Sequence, residues 1–470
     1  MTLALSSSLH PGANLVVACD GLDHDGAGVA DVRTDTGLFR LHVASVLPGE
    51  RVRVRLVHVS PHAREQGRDG WADLVEIVSP SPERVTPHCP THHRCGGCPL
   101  ATWAYPAQVE WKRELVAEAM AGQKELVHVP VAACVPSPRP FGYRANAKYV
   151  FGHDRDGRLV LGAYAPRSHE IVDMSGCPIG EPVLAEVAAA LLTLLAKHAV
   201  APFDETRRTG LLRYVVLRAN AEGKVLVALI TGRESWPQAQ PVAHEIVASC
   251  PAVLGVVHNI NSASGNALFG EPEYLLAGSA TIEDSIGPVR VRLGPRSFGQ
   301  ANRLVAGRAY QDIVDAAARM GPIDRVVDAY AGAGGIALAL APLAGEVVAI
   351  EENPVACTAA QAFVAERETE DPGRRVRFVT GDVADHLAHA GQADMVVLNP
   401  PRKGCAPAAI ATVMQLRPRL VAYLSCNPAS LARDLAALAQ MGLHTVSITP
   451  YDMLPHTPHV EALALLVTRP

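Results

Sequence analysis

The stretch that most restricts the fold of this chain is VVDAYAGAGGIALALAPLAGEVVAIEENP, residues 326–354. An apolar run at residues 326–329 reads as a buried strand, and it leads into a glycine-rich turn and then a helix. A second apolar strand follows directly. A strand, a turn, a helix and another strand form one crossover unit, so the sequence predicts a doubly wound α/β sheet from about residue 289 onward.

The glycine turn also predicts a ligand site. Gly332, Gly334 and Gly335 leave main-chain amides open to a ligand at the start of the helix. The second strand ends on Glu351, 21 residues after Tyr330, where an acid can bind ribose hydroxyls. The turn reads AGAGG rather than GxGxxG, which favours S-adenosylmethionine over NAD because the former has no pyrophosphate. A turn that serves packing alone is the alternative.

A rigid turn follows a later strand in DMVVLNPPRKG, residues 394–404. Asn399, Pro400 and Pro401 stand at the carboxyl edge of the predicted sheet, where open α/β sheets bind ligands. In N-methyltransferases, an acid or amide followed by two prolines and an aromatic residue holds the target amine. Arg402 takes the place of the aromatic residue here, which counts against methylation of an amino group.

A cysteine and a glutamate are the candidate reactive groups. Cys426 ends an apolar strand, and Asn427 and Pro428 read as the N-cap and first residue of a helix. The positive end of a helix is expected to lower the pKa of this thiol, although a small buried hydrophobe is the alternative. Glu461 heads another apolar strand, where a desolvated carboxylate can act as general base or merely cap an edge strand.

Cysteines cluster in HCPTHHRCGGCPL, residues 88–100, at the spacing C-x5-C-x2-C. Four thiolates suit either a structural zinc ion or an iron–sulfur cluster, and three close cysteines with one remote cysteine favour a four-iron cluster. The four candidate ligands are Cys89, Cys95, Cys98 and Cys177. The nearby histidines are expected to be bystanders: His88, His92 and His93.

The first part of the chain, residues 15–78, alternates short β-rich runs with turn signals and predicts a small closed all-β module. In its RVRVRL run, Arg51, Arg53 and Arg55 fall on one face by the two-residue period of a strand. This arginine face could be simply solvated or could bind the phosphates of a nucleic acid, and the sequence does not choose between these two interpretations. Residues 141–280 read as a mixed α/β region.

Charge and length limit the possible partners. A net charge of -5 gives no global basic footprint, so a nucleic acid would have to be held by local patches. The candidate phosphate contacts are Arg144, Lys148, Arg207, Arg208, Arg213 and Arg402. The opening MTLALSSSLH has no basic n-region or long apolar run, so we expect a cytoplasmic protein without a membrane segment.

In combination and in order, these motifs resemble the S-adenosylmethionine-dependent RNA uracil-C5 methyltransferases that modify bacterial ribosomal and transfer RNA. The resemblance covers nearly the whole chain and includes SFGQANRLVA, DAYAGAGG, NPPRKG, LSCNPASLARD and DMLPHTPHVE. It implies an α/β multidomain protein with three parts. These are an OB-like TRAM β-barrel at residues 13–80, a central α/β iron–sulfur and RNA-binding region at 81–280, and a Rossmann-like class I methyltransferase domain at 281–470.

The resemblance also implies roles for individual residues. The methyl donor, S-adenosylmethionine, would be bound by Gln300, Tyr330, Glu351 and Asn399. A [4Fe-4S] cluster would be held by Cys89, Cys95, Cys98 and Cys177. Cys426 would add to C6 of the uracil as nucleophile, and Glu461 would remove the C5 proton after methyl transfer.

Two departures from the family pattern concern the substrate and the donor pocket. Many members have Asp where Asn399 stands, and the Asn-Pro-Pro-Arg variant resembles a branch that acts on 23S rRNA. We therefore expect an RNA substrate, 23S rRNA before tRNA, and a monomeric enzyme. Gly299 replaces a bulky residue, which is expected to loosen the donor pocket. An N-methyltransferase, a non-catalytic iron–sulfur or zinc RNA-binding module and an NAD enzyme are the rival classes.

Overall fold

The computed structural model describes residues 3–5, 9–35, 37–64, 67–265, 267–368 and 376–468. The chain forms two compact units, Met1–Trp111 with Leu454–Pro458, and Lys112–Met453 with His459–Pro470. Within the expected domain ranges, positions 36, 65, 66, 266, 369–375, 469 and 470 lie outside the described residues.

The first unit is built on a seven-stranded sheet in the order β1-β4-β5-β7-β6-β2, with β3 paired to β4. Its strands are β1 Leu3–Leu5, β2 Asn14–Ala18, β3 Gly21–Leu22, β4 Gly28–Thr34, β5 Gly37–Val43, β6 Arg51–Arg64 and β7 Gly67–Ser79. Two helices follow in the chain, α1 His92–Cys95 and α2 Tyr105–Ala121. The sheet encloses a hydrophobic core of its own. Its assignment as a TRAM barrel stays a prediction.

The RVRVRL run lies on β6 and alternates as predicted. Its apolar residues are buried in the core: Val52, Val54 and Leu56. The arginines are exposed, and two of them pair with carboxylates of β7: Arg53 Nε lies 3.1 Å from Glu76, and Arg55 Nη2 lies 3.3 Å from Asp73. These ion pairs favour the solvated-face interpretation for Arg53 and Arg55.

The second unit begins with a seven-stranded mixed sheet in the order β10-β9-β8-β11-β12-β13-β14. Its strands are β8 Asn146–His153, β9 Leu159–Tyr164, β10 Ile171–Asp173, β11 Leu212–Ala219, β12 Val225–Thr231, β13 Val253–Ile260 and β14 Glu273–Gly278. Helices α3 Pro182–Lys197 and α4 Ala239–Ser249 pack on one face. The other face carries a small apolar group that includes Val216, Ala228 and Phe269.

A hairpin and a third sheet complete the second unit. The strands are β15 Ile282–Ile286, β16 Val289–Leu293, β17 Ile323–Ala329, β18 Ala344–Glu351, β19 Val376–Thr380, β20 Met395–Leu398, β21 Leu420–Ser425, β22 Leu443–Tyr451 and β23 Glu461–Thr468. The helices are α5 Arg303–Ala318, α6 Gly335–Leu340, α7 Pro354–Glu368, α8 Val383–His389, α9 Pro407–Val413 and α10 Pro428–Gln440, with short 3-10 turns at Ala341–Leu343 and Met414–Leu416.

The third sheet has the order β19-β18-β17-β20-β21-β23-β22, with β17 to β21 parallel and β23 antiparallel to both of its neighbours. Strand β17 lies between β18 and β20, so the strand order reverses there, and ligands bind at the carboxyl ends of strands at such a point. Strands β20 and β21 are buried along their length and β17 from Val326 to Ala329, as expected for parallel strands covered on both faces. The predicted doubly wound sheet is confirmed. Among the described residues, no helix is long and apolar enough to cross a membrane.

Candidate active site

A cavity of about 530 Å³ opens at the carboxyl ends of β17, β18, β20 and β21. Because β23 is antiparallel, its first residue reaches the same edge of the sheet. The cavity is lined by all six residues expected to bind the donor or to react: Gln300, Tyr330, Glu351, Asn399, Cys426 and Glu461. The topology therefore brings these side chains together, whereas their individual roles stay predictions.

The glycine turn after β17 has the left-handed backbone that its sequence suggests. Tyr330, Gly332 and Gly334 have φ angles of 64°, 57° and 81°. A Cβ atom at Gly334 would collide with the ring of Phe378 from β19. Glycine at position 334 is thus required both by the φ angle and by close packing.

Glu351 is fixed at this turn by main-chain amides. The amide of Gly332 donates to Glu351 Oε2 at 2.8 Å, and the amide of Asn353 donates to Oε1 at 2.9 Å. The carboxylate is therefore held at the end of β18 and beside the cavity, with its position set by two hydrogen bonds.

Two further residues of the cavity were missed by the sequence analysis. Tyr310, on α5, lies with its hydroxyl beside Gln300, and burial raises the pKa of this phenol. Asp328 is 1% exposed, and neither of its carboxylate oxygens has a hydrogen-bond partner among the described residues. Burial raises the pKa of Asp328 to about 7. The available signal was an acid inside the apolar run VVDA.

Cys426 and Glu461 are neighbours in the lining of the cavity. Strands β21 and β23 are antiparallel, and Ser425 pairs with Ala462. Cys426, directly after β21, therefore lies beside Glu461, the first residue of β23. Burial raises the pKa of the Cys426 thiol, and the charge of Glu461 raises it further. The net direction is therefore opposite to the one expected from the helix end, and desolvation is its largest cause. Burial raises the pKa of Glu461 to about 7.

Arg402 is the positively charged residue that acts on both Cys426 and Glu461. Its guanidinium lowers the pKa of Cys426 through charge and a hydrogen bond, and it opposes the rise in the pKa of Glu461. It also lies 3.2 Å from His459 Nε2. The sequence analysis took Arg402 for a phosphate contact, but the structure puts its guanidinium beside the thiol.

The loop that carries Arg402 is tied to the start of α10. The main-chain oxygen of Arg402 accepts hydrogen bonds from Asn427 Nδ2 and Ser430 Oγ, both at 3.1 Å. The side chain of Asn427 also caps the helix, accepting from the amides of Ala429 and Ser430. The predicted N-cap is confirmed, and it holds the thiol and the guanidinium loop together.

One exposed aromatic ring lies at the cavity. Phe298 lines it and is 71% exposed, which is unusual for an aromatic side chain. The sequence analysis quoted its motif, SFGQ, but assigned no role to the ring. The signal for a functional ring was its place two residues before Gln300, a predicted donor-binding residue.

The other predicted phosphate contacts differ in their surroundings. The guanidinium of Arg213 is buried, pairs with Glu205 at 2.8 Å, and donates to the main-chain oxygen of Asn261 at 2.7 Å. Arg207 faces Asp204 at 3.6 Å. Arg213 therefore has its hydrogen bonds satisfied within the protein, which leaves it poorly suited to bind a phosphate.

The expected cluster of cysteine ligands is not supported by the arrangement of the side chains. Within the described ranges, no group of three or more histidine, cysteine, aspartate or glutamate side chains is placed to hold a metal ion. Cys89 Sγ lies 3.4 Å from Thr91 Oγ1, and Cys95 Sγ accepts from the Gly97 amide at 3.4 Å. Cys89, Cys95 and Cys98 of the first unit are therefore not arranged as a metal site, and their grouping with Cys177 stays a prediction.

Comparison with known proteins agrees with the fold. The family described as tRNA (uracil-5-)-methyltransferase matches residues 142–469. A relative from Geobacter sulfurreducens is 36% identical over 99% of this chain and 92% of its own length, and one from Halalkalibacterium halodurans is 34% identical over 96% of each. Both are named uncharacterized RNA methyltransferases.

Among solved structures, the Pyrococcus abyssi tRNA (uracil-54, C5)-methyltransferase in complex with S-adenosyl-L-homocysteine superimposes with a TM-score of 0.74. It is 24% identical and covers 97% of this chain and 100% of its own. At this level of identity the likeness concerns the fold.

Proposed function

The chain belongs to the tRNA (uracil-5-)-methyltransferase family, and from this premise we propose that it transfers a methyl group from S-adenosylmethionine to C5 of one uridine in RNA. Among RNA substrates we favour 23S rRNA. One observation carries the proposal: a thiol, Cys426, and a carboxylate with a raised pKa, Glu461, are neighbours in the lining of the cavity that also contains the glycine turn.

The cavity suits a positively charged donor. Asp328 and Glu351 both line it, and neither forms an ion pair with the part of the chain that the structure describes. Where these groups are ionised, their negative charge attracts an ammonium group or a sulfonium. S-adenosylmethionine, when bound, supplies a methyl group made electrophilic by its sulfonium. Its proposed binding residues are Gln300, Tyr330, Glu351 and Asn399.

Cys426 is the proposed nucleophile. Uracil C5 is a poor nucleophile until a thiolate adds to C6 and converts the ring into an enolate. The Cys426 thiol first gives its proton to water, and the neighbouring guanidinium of Arg402 favours the resulting thiolate. The sulfur then forms the S–C6 bond, and C5 becomes able to take a methyl group.

Glu461 is the proposed base for the last step. After methylation, C5 carries both the new methyl group and its original hydrogen. Glu461 accepts that proton, the C5–C6 double bond re-forms, and the S–C6 bond breaks to return the thiolate. A base with a pKa near 7 is matched to proton transfer at neutral pH.

The target base has to leave its stack to reach this cavity, at a cost of about a few kcal/mol. We propose that the exposed ring of Phe298 stacks on an unstacked base and offsets part of that cost.

A mechanism-based substrate tests the function. RNA that contains 5-fluorouridine, incubated with S-adenosylmethionine and the protein, should form a stable covalent adduct, because fluorine at C5 cannot leave as a proton. The adduct should be lost in Cys426→Ala and kept in Cys250→Ala, whose cysteine is buried at the end of α4. A protein that forms no adduct, or an adduct that survives Cys426→Ala, would contradict the proposal.

tRNA is the second candidate substrate, because the matching family carries tRNA in its description. Unmodified 23S rRNA and tRNA transcripts, each incubated with radiolabelled donor, separate the two. Incorporation into the tRNA transcript alone would reject the ribosomal substrate.

The remaining expectations are also proposals. We keep residues 13–80 as a TRAM barrel, 81–280 as the central region and 281–470 as the methyltransferase domain. The enzyme is proposed to be a monomer, which sedimentation can test. The [4Fe-4S] cluster has the cysteine spacing in its favour and the arrangement of side chains against it, and the iron and acid-labile sulfide content of anaerobically purified protein decides between them.

A further inference from the structure

The face of the central sheet that α3 and α4 leave uncovered carries a group of cations. In the register of β8 and β11, Asn146 pairs with Arg218 and Lys148 pairs with Val216. Directly paired residues of antiparallel strands share a face, so Arg218 and Lys148 lie diagonally on the same side. Alternate residues, such as Leu217, belong to the core on the opposite face.

Arg218 connects this face to the cavity. Its Nη2 donates to the main-chain oxygen of Ser297 at 2.6 Å, and a Cβ atom at Gly299 would collide with its Nη1. The guanidinium therefore occupies the space that a side chain at position 299 would fill. Since Gly299 and Gln300 line the cavity, Arg218 lies directly behind its wall.

Positive charge on this face is left without a balancing ligand. The side chain of Arg218 is 8% exposed, and its Nε has no hydrogen-bond partner among the described residues. Lys148 forms no ion pair or hydrogen bond within the described ranges, and burial, Arg144 and Arg218 together lower its pKa. Arg144 donates from Nε to the main-chain oxygen of Asn146 at 3.1 Å.

The carboxylate that acts on Arg218 is already engaged. Asp284 lies 3.3 Å from Arg303 and accepts hydrogen bonds from the amides of Ala221 and Ser285, both at 2.9 Å. Arg218 thus shares this carboxylate with Arg303, while Arg144 and Arg218 both act on Lys148. Such a group of like charges is stabilised when an anion binds.

We propose that Arg144, Lys148 and Arg218 form a phosphate site that holds the backbone of single-stranded RNA beside the uridine in the cavity. This inference rests on the proposed function and adds to it the surface that receives the RNA. The exposed ring of Phe298, next to the main chain that Arg218 contacts, supports single-stranded RNA as the occupant, because such surfaces combine cations for the backbone with an aromatic ring for a base.

The test compares a lysine of the proposed site with a lysine of α3, the helix that packs on the opposite face of the sheet. Lys148→Gln removes a charge from the proposed site, and Lys197→Gln removes a charge from α3, where Lys197 pairs with Glu245. Binding of a fluorescein-labelled single-stranded RNA oligonucleotide is followed by anisotropy over a series of KCl concentrations. The slope of log Kd against log salt should fall by about 0.7 for Lys148→Gln, the value for one phosphate contact on a single strand. It should be unchanged for Lys197→Gln.

A second variant keeps the charge of Arg218 but changes the position of its guanidinium. Gly299→Ala should displace the Arg218 guanidinium and weaken RNA binding by about tenfold, the effect of one charge-assisted hydrogen bond. Equal slopes for the two lysine variants, with RNA binding intact, would overturn the phosphate site and leave the proposed methyltransferase function standing. A wild-type protein that binds no RNA would overturn both.

Discussion

Cys426 and Glu461 are neighbours across two antiparallel strands, one position beyond the pairing of Ser425 with Ala462. The charge of Glu461 raises the pKa of the thiol, so ionisation of one group opposes ionisation of the other. The two groups are therefore suited to act in sequence: the thiolate is needed at the start of the proposed reaction and the carboxylate at its end.

Replacing the base should trap the intermediate. In Glu461→Gln the amide cannot accept the C5 proton, so methylated RNA should stay joined to Cys426 even when the RNA contains ordinary uridine. Denaturing electrophoresis of protein with radiolabelled RNA measures the adduct. Glu186→Gln, on the outer side of α3, should behave like the wild type. Normal turnover by Glu461→Gln would show that another group takes the proton.

The pH dependence of the reaction should depend on Arg402. Activity is expected to rise with pH through about 7, because Glu461 has to be ionised to act as base. Arg402 lowers the pKa values of both Glu461 and Cys426, so Arg402→Gln should raise both and move the ascending limb of the kcat/KM profile to higher pH. Arg402→Lys should restore part of the shift. An unmoved profile with reduced activity would mean that Arg402 serves only to bind substrate.

Asp328 should oppose stability at alkaline pH. Its pKa is raised from 3.8 to about 7 by burial, so the folded state favours the protonated form. Stability linked to this group is fully present below about pH 3.8 and is lost as the pH rises through 7. Asp328→Asn should therefore raise Tm above pH 7 and have little effect below pH 4, while weakening donor binding. A constant difference in Tm at all pH values would contradict this, and calorimetry measures both quantities.

Substitutions at two glycines, Gly334 in the donor turn and Gly321 before β17, distinguish the cost of backbone strain from the cost of lost packing. Gly334 and Gly321 have φ angles of 81° and 77°, but a Cβ atom would collide with Phe378 at the first and meet open space at the second. Gly321→Ala should cost about 1 kcal/mol of unfolding free energy from strain alone. Gly334→Ala should cost more and also lower the affinity for S-adenosylmethionine, as urea unfolding and calorimetry can measure. Equal losses of unfolding free energy in the two variants would contradict a packing role for Gly334.

The doubly wound sheet could be predicted because buried parallel strands read as uninterrupted apolar runs, and residues at their carboxyl ends meet at one edge. Glu351, Asn399 and Cys426 each end or follow an apolar run, and the structure brings them together on one cavity. The cap at Asn427 was predictable for a similar reason, since it depends only on the next three residues.

Other properties depend on contacts between distant parts of the chain. The pKa of Cys426 is set mainly by burial and by Glu461, so the local effect of the helix end gave the wrong direction. Arg213 looked available in the sequence, yet it is paired with Glu205 and with carbonyls of a later loop. Cysteine spacing, likewise, does not state how the thiols are arranged after folding.

The hydrogen bonds from Asn427 and Ser430 to the Arg402 carbonyl also limit how much the reactive centre has to rearrange when substrate binds. A nucleophile and a cation joined through one helix start cannot drift apart independently, so little reorganisation is required when the base arrives. The ordering entropy of this centre is incurred once, during folding, rather than at every turnover.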